Sequence, residues 1–315
     1  MIIRSSAPCR ISLFGGGTDI DPFASVYGGA VINFAVNIRQ QLTVYTGDDM
    51  WGHMTDVFPH NANKQFIYDI FHKFNYGGGH LIKVDFKSDA FLGAGLGSSA
   101  AAATATIAAI GKIKNEIFTI SKIAEEAWKA EEHMGWYGGK QDQWASAYGG
   151  FNVLEFNKNG VIVRPYLRQS VDSLTQSMVL FWTGEREGKD LQEAMRSLTE
   201  KQVNSLKTLR DMVVGAIPIV GQADYRKIGD LLNIAWRLKK QLNPKISTGK
   251  VDHIYQKAIE AGALGGKLLG AGSGGYMLFI IEPAMKGEFL QKMAKEGMEN
   301  IDFSIDWQGV EARIL

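Results

Sequence analysis

Cysteine is almost absent: Cys9 stands alone among 315 residues. That excludes an internal disulfide framework and any multi-cysteine zinc site, and it suits a reducing, cytoplasmic compartment. Net charge is almost absent too, at +1 with a pI of about 7.8, so no global basicity points to nucleic acid or to an acidic membrane surface. Long hydrophobic runs are missing; the longest small-apolar stretch, near residues 100–110, is Ala/Thr-rich and too short to span a bilayer. Met1-Ile-Ile-Arg4 is too short for the apolar region of a secretory leader, and Ser5-Ser6-Ala7-Pro8 follows at once, so no leader is expected. No fixed-period repeat, low-complexity tail or obvious long linker is seen.

Glycine, by contrast, is abundant, and its 36 residues gather in a few places. The densest information lies at Gly93-Ala-Gly-Leu-Gly-Ser-Ser-Ala-Ala-Ala102. A glycine loop running into an alanine tract reads as a loop entering a helix. A helix start exposes unpaired N–H groups and the positive end of the helix dipole, while glycines let backbone amides approach a ligand. An anion site, most economically for phosphate, is one reading; a glycine turn capped by Ser98 or Ser99 is the other. The lysine of the Walker A pattern is missing, so this is not a standard P-loop.

Along the chain, Ile2–Arg4 and Arg10–Phe14 read as two short strands, the second running into Gly15-Gly16-Gly17-Thr18-Asp19. Ala30–Ala35 and Gln40–Tyr45 are β-rich runs that pair as a hairpin or meander. Helical periods cover Lys64–Phe74, Ser99–Lys112, Ser121–Met134 and Trp144–Tyr148, with a strand over Leu81–Phe86. Phe151–Phe156 and Val161–Pro165 flank Asn157-Lys-Asn-Gly160, a hairpin signal. A strand at Met178–Trp182 opens the second half. Amphipathic helices follow over Leu191–Val214, Tyr225–Leu242 and Val251–Ala261, with Pro218 and Pro244 as breakers. The tail reads as a glycine-rich segment, Gly265–Gly275, a strand at Tyr276–Ile281, a helix at Ala284–Met298 and strands near Phe303–Ile305 and Val310–Ile314. The best division into two α+β halves falls near residues 165–176.

Taken singly, the polar candidates admit ordinary readings. Asp142, in a glycine-rich passage, could orient a hydroxyl or cap the helix at Trp144–Tyr148. Asp19 could cap a turn. Glu131 and Glu132 could hold a magnesium ion or be solvated helix-face charges. Arg10 could be a surface strand residue or a cation aimed into a site. Gly270-Ala-Gly-Ser-Gly-Gly275 matches the dinucleotide fingerprint, but a strand follows it where a helix is required. A loop packing on another backbone, or on a ligand, fits better.

Their order is specific. Ala7-Pro8-Cys9-Arg10-Ile11-Ser12 leading to Gly15–Asp19, then Gly95-Leu-Gly-Ser-Ser-Ala-Ala101, Gly139-Lys-Gln-Asp-Gln143 and Gly265–Gly275 resembles the GHMP kinases over nearly the whole chain. That family includes galactokinase, homoserine kinase, mevalonate kinase and phosphomevalonate kinase. Within it, Gly-Gly-Gly-Thr-Asp with Gly-Lys-Gln-Asp-Gln and Gly-Gly-Phe-Asn looks most like the sugar kinases acting on D-glycero-D-manno-heptose 7-phosphate.

The resemblance implies an α+β, two-domain fold: residues 1–170 resembling a small ribosomal-protein module, and 171–315 forming a ferredoxin-like domain. It implies ATP and Mg2+ as cofactors. ATP phosphates would lie on Gly93, Gly95, Leu96, Gly97, Ser98, Ser99 and Ala100, with Gly272 and Ser273 of the third motif close by. Ser99 and Glu131 would be the magnesium ligands. In relatives that glutamate lies five residues before the glycine matching Gly135, where this chain has Ala130, so Glu131 is chosen with Glu132 behind it. Asp142 matches the catalytic aspartate and Arg10 the cation that meets charge on the transferring phosphoryl group. Asp19 matches the sugar-hydroxyl contact, with Gly17, Thr18, Lys140, Gln141 and Arg186 as further substrate positions. By charge alone Lys140, Arg39, Arg186 and Lys189 are candidates for a phosphate already on the sugar. The expected partners are ATP and a small sugar, with a homodimer left open; neither nucleic acid nor membrane is expected. Two rival readings remain: a kinase of a non-phosphorylated sugar or mevalonate-like alcohol, and a non-catalytic binding regulator.

Overall fold

Small side chains decide how the first half packs. The computed structural model describes residues 1–47, 62–74, 82–90, 95–186 and 197–315. Its N-terminal elements are β1 (Ile2–Phe14), α1 (Phe23–Tyr27), β2 (Gly29–Thr46), α2 (Ala62–Lys73), β3 (Ile82–Ser88), α3 (Ser98–Ile113), α4 (Ile120–His133), α5 (Gln141–Tyr148), β4 (Phe151–Asn157) and β5 (Gly160–Pro165). The alanine tract is α3, buried along almost its whole length. It lies so close to the sheet that Ser5 Oγ on β1 donates to the carbonyl of Ala105 at 2.7 Å, an approach that bulkier residues would block.

Two pairs of expected strands are each one strand. β1 runs unbroken through Pro8, where a register shift against β2 between Pro8 and Cys9 absorbs the proline. β2 is also continuous, and changes partner on one side: Gly29–Phe34 pairs with β4 and Gln40–Thr46 with β3, while β1 follows it on the other side. The polar interval between the two apolar runs is the point of that exchange, not a turn.

The C-terminal elements are α6 (Arg168–Val171), β6 (Met178–Trp182), α7 (Glu200–Gly221), α8 (Tyr225–Leu242), α9 (Gly249–Ala261), β7 (Gly265–Leu268), β8 (Tyr276–Ile280), α10 (Lys286–Lys295) and β9 (Glu311–Ile314). The described helix α7 starts later than expected, behind a Thr199–Gln202 capping box; residues 191–196 lie outside the described residues. It also runs through Pro218. That proline deprives only the carbonyl of Val214 of its helical donor, and Val214 is on the solvent side, 69% exposed.

Strands β6, β8 and β7 form one sheet, with Asn300 bridged to Phe181. The sequence β6–helices–β7–β8–α10–Asn300 is the βαββαβ order of a ferredoxin-like unit. β9 then returns to the first sheet and pairs with β1, Ile3 opposite Ile314. A single cut at residue 170 therefore divides the sequence but not the sheets. A second apolar cluster, around Trp236, Phe181, Phe279 and Phe289, fills the C-terminal unit.

Candidate active site

Four stretches meet between the two sheets: the end of β1 with its glycine turn, the entry to α3, the entry to α5, and the loop joining β7 to β8. Arg10 on β1 is the hub, and it is 4% exposed. Its Nε and Nη2 donate to the two carboxylate oxygens of Asp142 at 2.8 and 2.7 Å, and its Nη1 donates to the carbonyl of Gly95 at 2.7 Å. This bidentate, charge-assisted pair fixes the plane of the carboxylate. The backbone N–H of Arg10 also donates to the Leu96 carbonyl at 2.8 Å, so one residue ties the glycine loop to the carboxylate.

Asp142 does not cap a later helix; it lies in the first turn of α5. Gly97 has left-handed backbone, φ +68°, and a Cβ there would stand 3.0 Å from Asp142 Oδ2. The carboxylate therefore overhangs the positive end of α3. Leu96, Ser98 and Ala100 are buried beneath this entry and Ser99 is half-buried beside it; Gly93 lies outside the described residues.

Glu131 on α4 is buried, accepts a hydrogen bond from Gln143 Nε2 and is hydrogen-bonded by Ser99. Burial pushes its carboxyl up to about 7, and Asp142 adds to the rise. Glu132 instead lines a cleft of about 440 Å³ that reaches Asp19, with Asp21, Trp128, Tyr137 and Lys140. The structure thus brings Glu131, not Glu132, to Ser99. Among the described residues no group of three or more His, Cys, Asp or Glu side chains is arranged for a metal. A hydroxyl and one carboxylate still fit magnesium, which takes one or two protein oxygens together with substrate phosphates.

Asp19 is 1% exposed. Its carboxylate accepts from Gly17 N at 3.0 Å, Gln141 N at 3.1 Å and Gln141 Nε2 at 3.0 Å. Burial raises its pKa, and Asp142 raises it further. Gly139 is needed as a glycine because a Cβ there would run into this carboxylate. Thr18 is corrected by the structure: it is fully buried, its single O–H is shared between the carbonyls of Gly15 and Ala30, and its oxygen accepts from Ala30 N, so the side chain latches the turn rather than meeting a ligand. Lys140 pairs with Asp21 at 3.0 Å and lies over the Trp128 ring, 4.4 Å from its centroid. Arg39 is no substrate cation either; Asp306, Gly309 O and Ser6 hold it. Lys189 lies outside the described residues.

The loop between β7 and β8 braces the first loop. A Cβ on Gly270 would come within 2.5 Å of Gly95 Cα and 3.1 Å of Arg186 Nη2. Gly272 packs on the backbone of Ile246, and Ser273 N donates to Ile246 O at 2.9 Å. Ser273 Oγ is buried without a hydrogen-bond partner.

Sequence reasoning missed two cations here. Lys267, 4% exposed, reaches Leu13 O at 3.2 Å; burial and then Arg10 push its pKa down to about 7. Lys239 donates to the carbonyls of Leu268 and Gly270, and burial, Lys267, Arg186 and Arg10 hold its pKa well below the usual lysine range. The available signal was Lys267 itself, a lone charge in a strand of glycine and leucine. Lys239, in a helix of mixed charge, carried none.

A carboxylate locked to an arginine above a helix N-terminus, with a second carboxylate beside a serine at that terminus, is an arrangement suited to phosphoryl transfer. Models of the family agree: the GHMP kinases N terminal domain matches residues 64–150 and the GHMP kinases C terminal domain matches 216–300. The chain is 31% identical to D-glycero-alpha-D-manno-heptose 7-phosphate kinase of Campylobacter jejuni, over 98% of each chain. It is 26% identical to a mevalonate kinase of Pyrococcus abyssi, over 91% of this chain and 90% of that one. Among solved structures, a D-glycero-D-manno-heptose 1-phosphate kinase of Bacteroides thetaiotaomicron superposes with a TM-score of 0.79 at 23% identity, covering 99% of both chains. The protein belongs to the GHMP kinase family, whose members are ATP-dependent phosphotransferases. No described helix is long and apolar enough to cross a membrane.

Proposed function

We propose that this kinase phosphorylates the anomeric hydroxyl of D-glycero-D-manno-heptose 7-phosphate, giving the 1,7-bisphosphate. The observation that carries the reading is the Arg10–Asp142 pair poised over the first turn of α3. The acceptor class is supported by the Campylobacter relative, similar over its full length.

In this reading the backbone N–H groups at the start of α3 hold the phosphates of ATP. Asp142, partly exposed where its partner Arg10 is buried, takes or orients the proton of the acceptor hydroxyl. Arg10 meets the charge developing on the transferring group. Ser99 and Glu131 are the protein oxygens for a magnesium ion, which when bound shields charge between the donor phosphates. Asp19, held by Gln141 and Gly17, sets the floor of the acceptor site, and Arg186 stands at the rim by Gly270. A cytoplasmic location belongs to the same reading, supported by the buried free thiol of Cys9.

The test is ATP consumption against a panel of heptose 7-phosphate, galactose, fucose and mevalonate, with Asp142→Asn alongside. The variant is expected to lose about 10²- to 10⁴-fold in kcat. Turnover of galactose or mevalonate equal to that of heptose 7-phosphate overturns the acceptor assignment. Undiminished activity in Asp142→Asn overturns the mechanism, and nucleotide binding without turnover of any acceptor favours a regulator.

A further inference from the structure

The cleft that begins at Asp19 lies wholly on the N-terminal unit. Its walls are the turn from Asp19 through Asp21 into α1, Trp128 and Glu132 on α4, and Tyr137 and Lys140 in the passage that enters α5. Its volume, about 440 Å³, falls within the range of small-molecule sites, about 300–1,000 Å³.

The walls are tied together before any ligand arrives. Asp21 Oδ1 accepts from the Ser25 N–H and Oδ2 accepts from Lys140 Nζ, both at 3.0 Å. Lys140 also lies over the Trp128 ring, and its backbone N–H donates to the Asp19 carbonyl at 3.2 Å. One lysine thus joins the turn, α4 and the entry to α5. Tyr137 stands at the mouth, 38% exposed. A site held in this way loses little freedom when it is filled.

Charge decides what can fill it. The lining carries three carboxylates, Asp19, Asp21 and Glu132, against the single ammonium of Lys140, which is already paired with Asp21. An anion would therefore enter against net negative charge, so Lys140 does not make this a phosphate site. Nor is the cleft a metal site: among the described residues no three His, Cys, Asp or Glu side chains are arranged for an ion. A neutral molecule rich in hydroxyls meets both kinds of wall. Carboxylates accept from its hydroxyls, an ammonium donates to them, and aromatic side chains pack on its C–H edges.

We propose that this cleft holds the unreacted hydroxyls of the acceptor sugar, with Trp128 and Tyr137 against its carbon skeleton and Asp21, Glu132 and Lys140 toward its oxygens. The assignment rests on the proposed function, in which Asp19 is the floor of the acceptor site; Asp19 is also a wall of the cleft. The chain then passes from Lys140 to Asp142 in two residues, so one short segment serves both the sugar's body and its reacting hydroxyl. Recognition of the sugar is separated from recognition of any charge it carries.

Tyr137→Ala and Glu132→Gln test this, the first at an exposed ring and the second at nearly constant shape. The KM for heptose 7-phosphate should rise about tenfold in Tyr137→Ala and about fivefold in Glu132→Gln, with the KM for ATP changed less than about twofold. Methyl α-D-mannopyranoside, which has no phosphate and no free anomeric hydroxyl, should compete with the acceptor and not with ATP. Its inhibition should weaken in both variants by the same factors, whereas any inhibition by inorganic phosphate should be equal in all three proteins. The steady ATP KM reports that each variant is folded. An unaltered acceptor KM in either variant, or an ATP KM that rises as much, overturns the assignment and leaves the proposed function intact. So does a mannoside that inhibits all three proteins equally, and phosphate inhibition that weakens with the mannoside's overturns the neutral class. A wild type that does not turn over heptose 7-phosphate overturns the proposed function and this assignment with it.

Discussion

Gly95–Ser99 and Gly270–Gly275 touch each other, and both are rich in glycine and serine, yet one opens a helix and the other a strand. A helix start leaves N–H groups unused by its own backbone, so the first loop can offer them to an outside anion. In the second loop several donors are already used: Leu269 N to Tyr276 O, Ser273 N to Ile246 O and Gly275 N to Gly184 O. Its glycines serve close approach of backbone to backbone instead. The element that follows a glycine loop decides whether the loop binds or braces.

That contrast can be broken by substitution. The largest effect is expected at Gly270→Ala, where left-handed backbone and a methyl group 2.5 Å from Gly95 Cα combine. About 3 kcal/mol of stability should be lost, read by urea unfolding, and kcat should fall as Gly95 is displaced. A stable, active Gly270→Ala would mean that the second loop is no brace. Gly97→Ala should cost less stability, about 1–2 kcal/mol. Its new Cβ crowds Asp142 Oδ2, so kcat should drop about tenfold or more, mainly through the carboxylate's position. The smallest effect belongs to Ser273→Ala. Its hydroxyl has no protein partner, so stability should stay within about 0.5 kcal/mol and the KM for ATP within about threefold. A tenfold rise in that KM would show that the bracing loop also binds phosphate.

The pH dependence sharpens the same comparison from the side of charge. Glu131, raised from 4.5 to about 7, contributes stability below pH 4.5 that is lost as pH rises to about 7. Lys267, lowered from 10.5 to about 7, contributes stability above pH 10.5 that is lost as pH falls to about 7. For these two groups the ligand-free protein is least stable near neutrality. Lys267→Met should therefore raise Tm most at pH 7 and below, with the gain shrinking toward pH 10; a pH-independent difference would contradict the lysine's depressed pKa.

Much of this site was legible because its glycines are tied to order and spacing along the chain. Arg10, Asp142 and Ser99 come from three elements that the motifs mark; Glu131, on α4, lies outside them and departs from the family's spacing. The hairpin at Asn157–Gly160 and the span of Tyr225–Leu242 were also legible, the first from its turn residues and the second from a long amphipathic period. Strand continuity was not. Pro8 reads as a break because the bulge that accommodates it depends on β2, and the polar middle of β2 reads as a turn because its change of partner is tertiary. Lys239 went unnoticed because a charge in a polar context looks solvated until the carbonyls around it are in place, whereas Arg39, a phosphate candidate by charge alone, is held by Asp306. Thr18 misled in the opposite sense, since a hydroxyl beside Asp19 looks available until the turn closes over it.

The pairing of β9 with β1 has a consequence for how the protein is made. Ile3 and Ile314 are neighbours across a sheet although about 300 residues of sequence separate them. On the ribosome, the strand that carries Arg10 is made long before its outer neighbour. The edge of β1 along Ile3–Ser6 therefore stays open while the intervening residues are synthesised, and completion of the first sheet waits for β9.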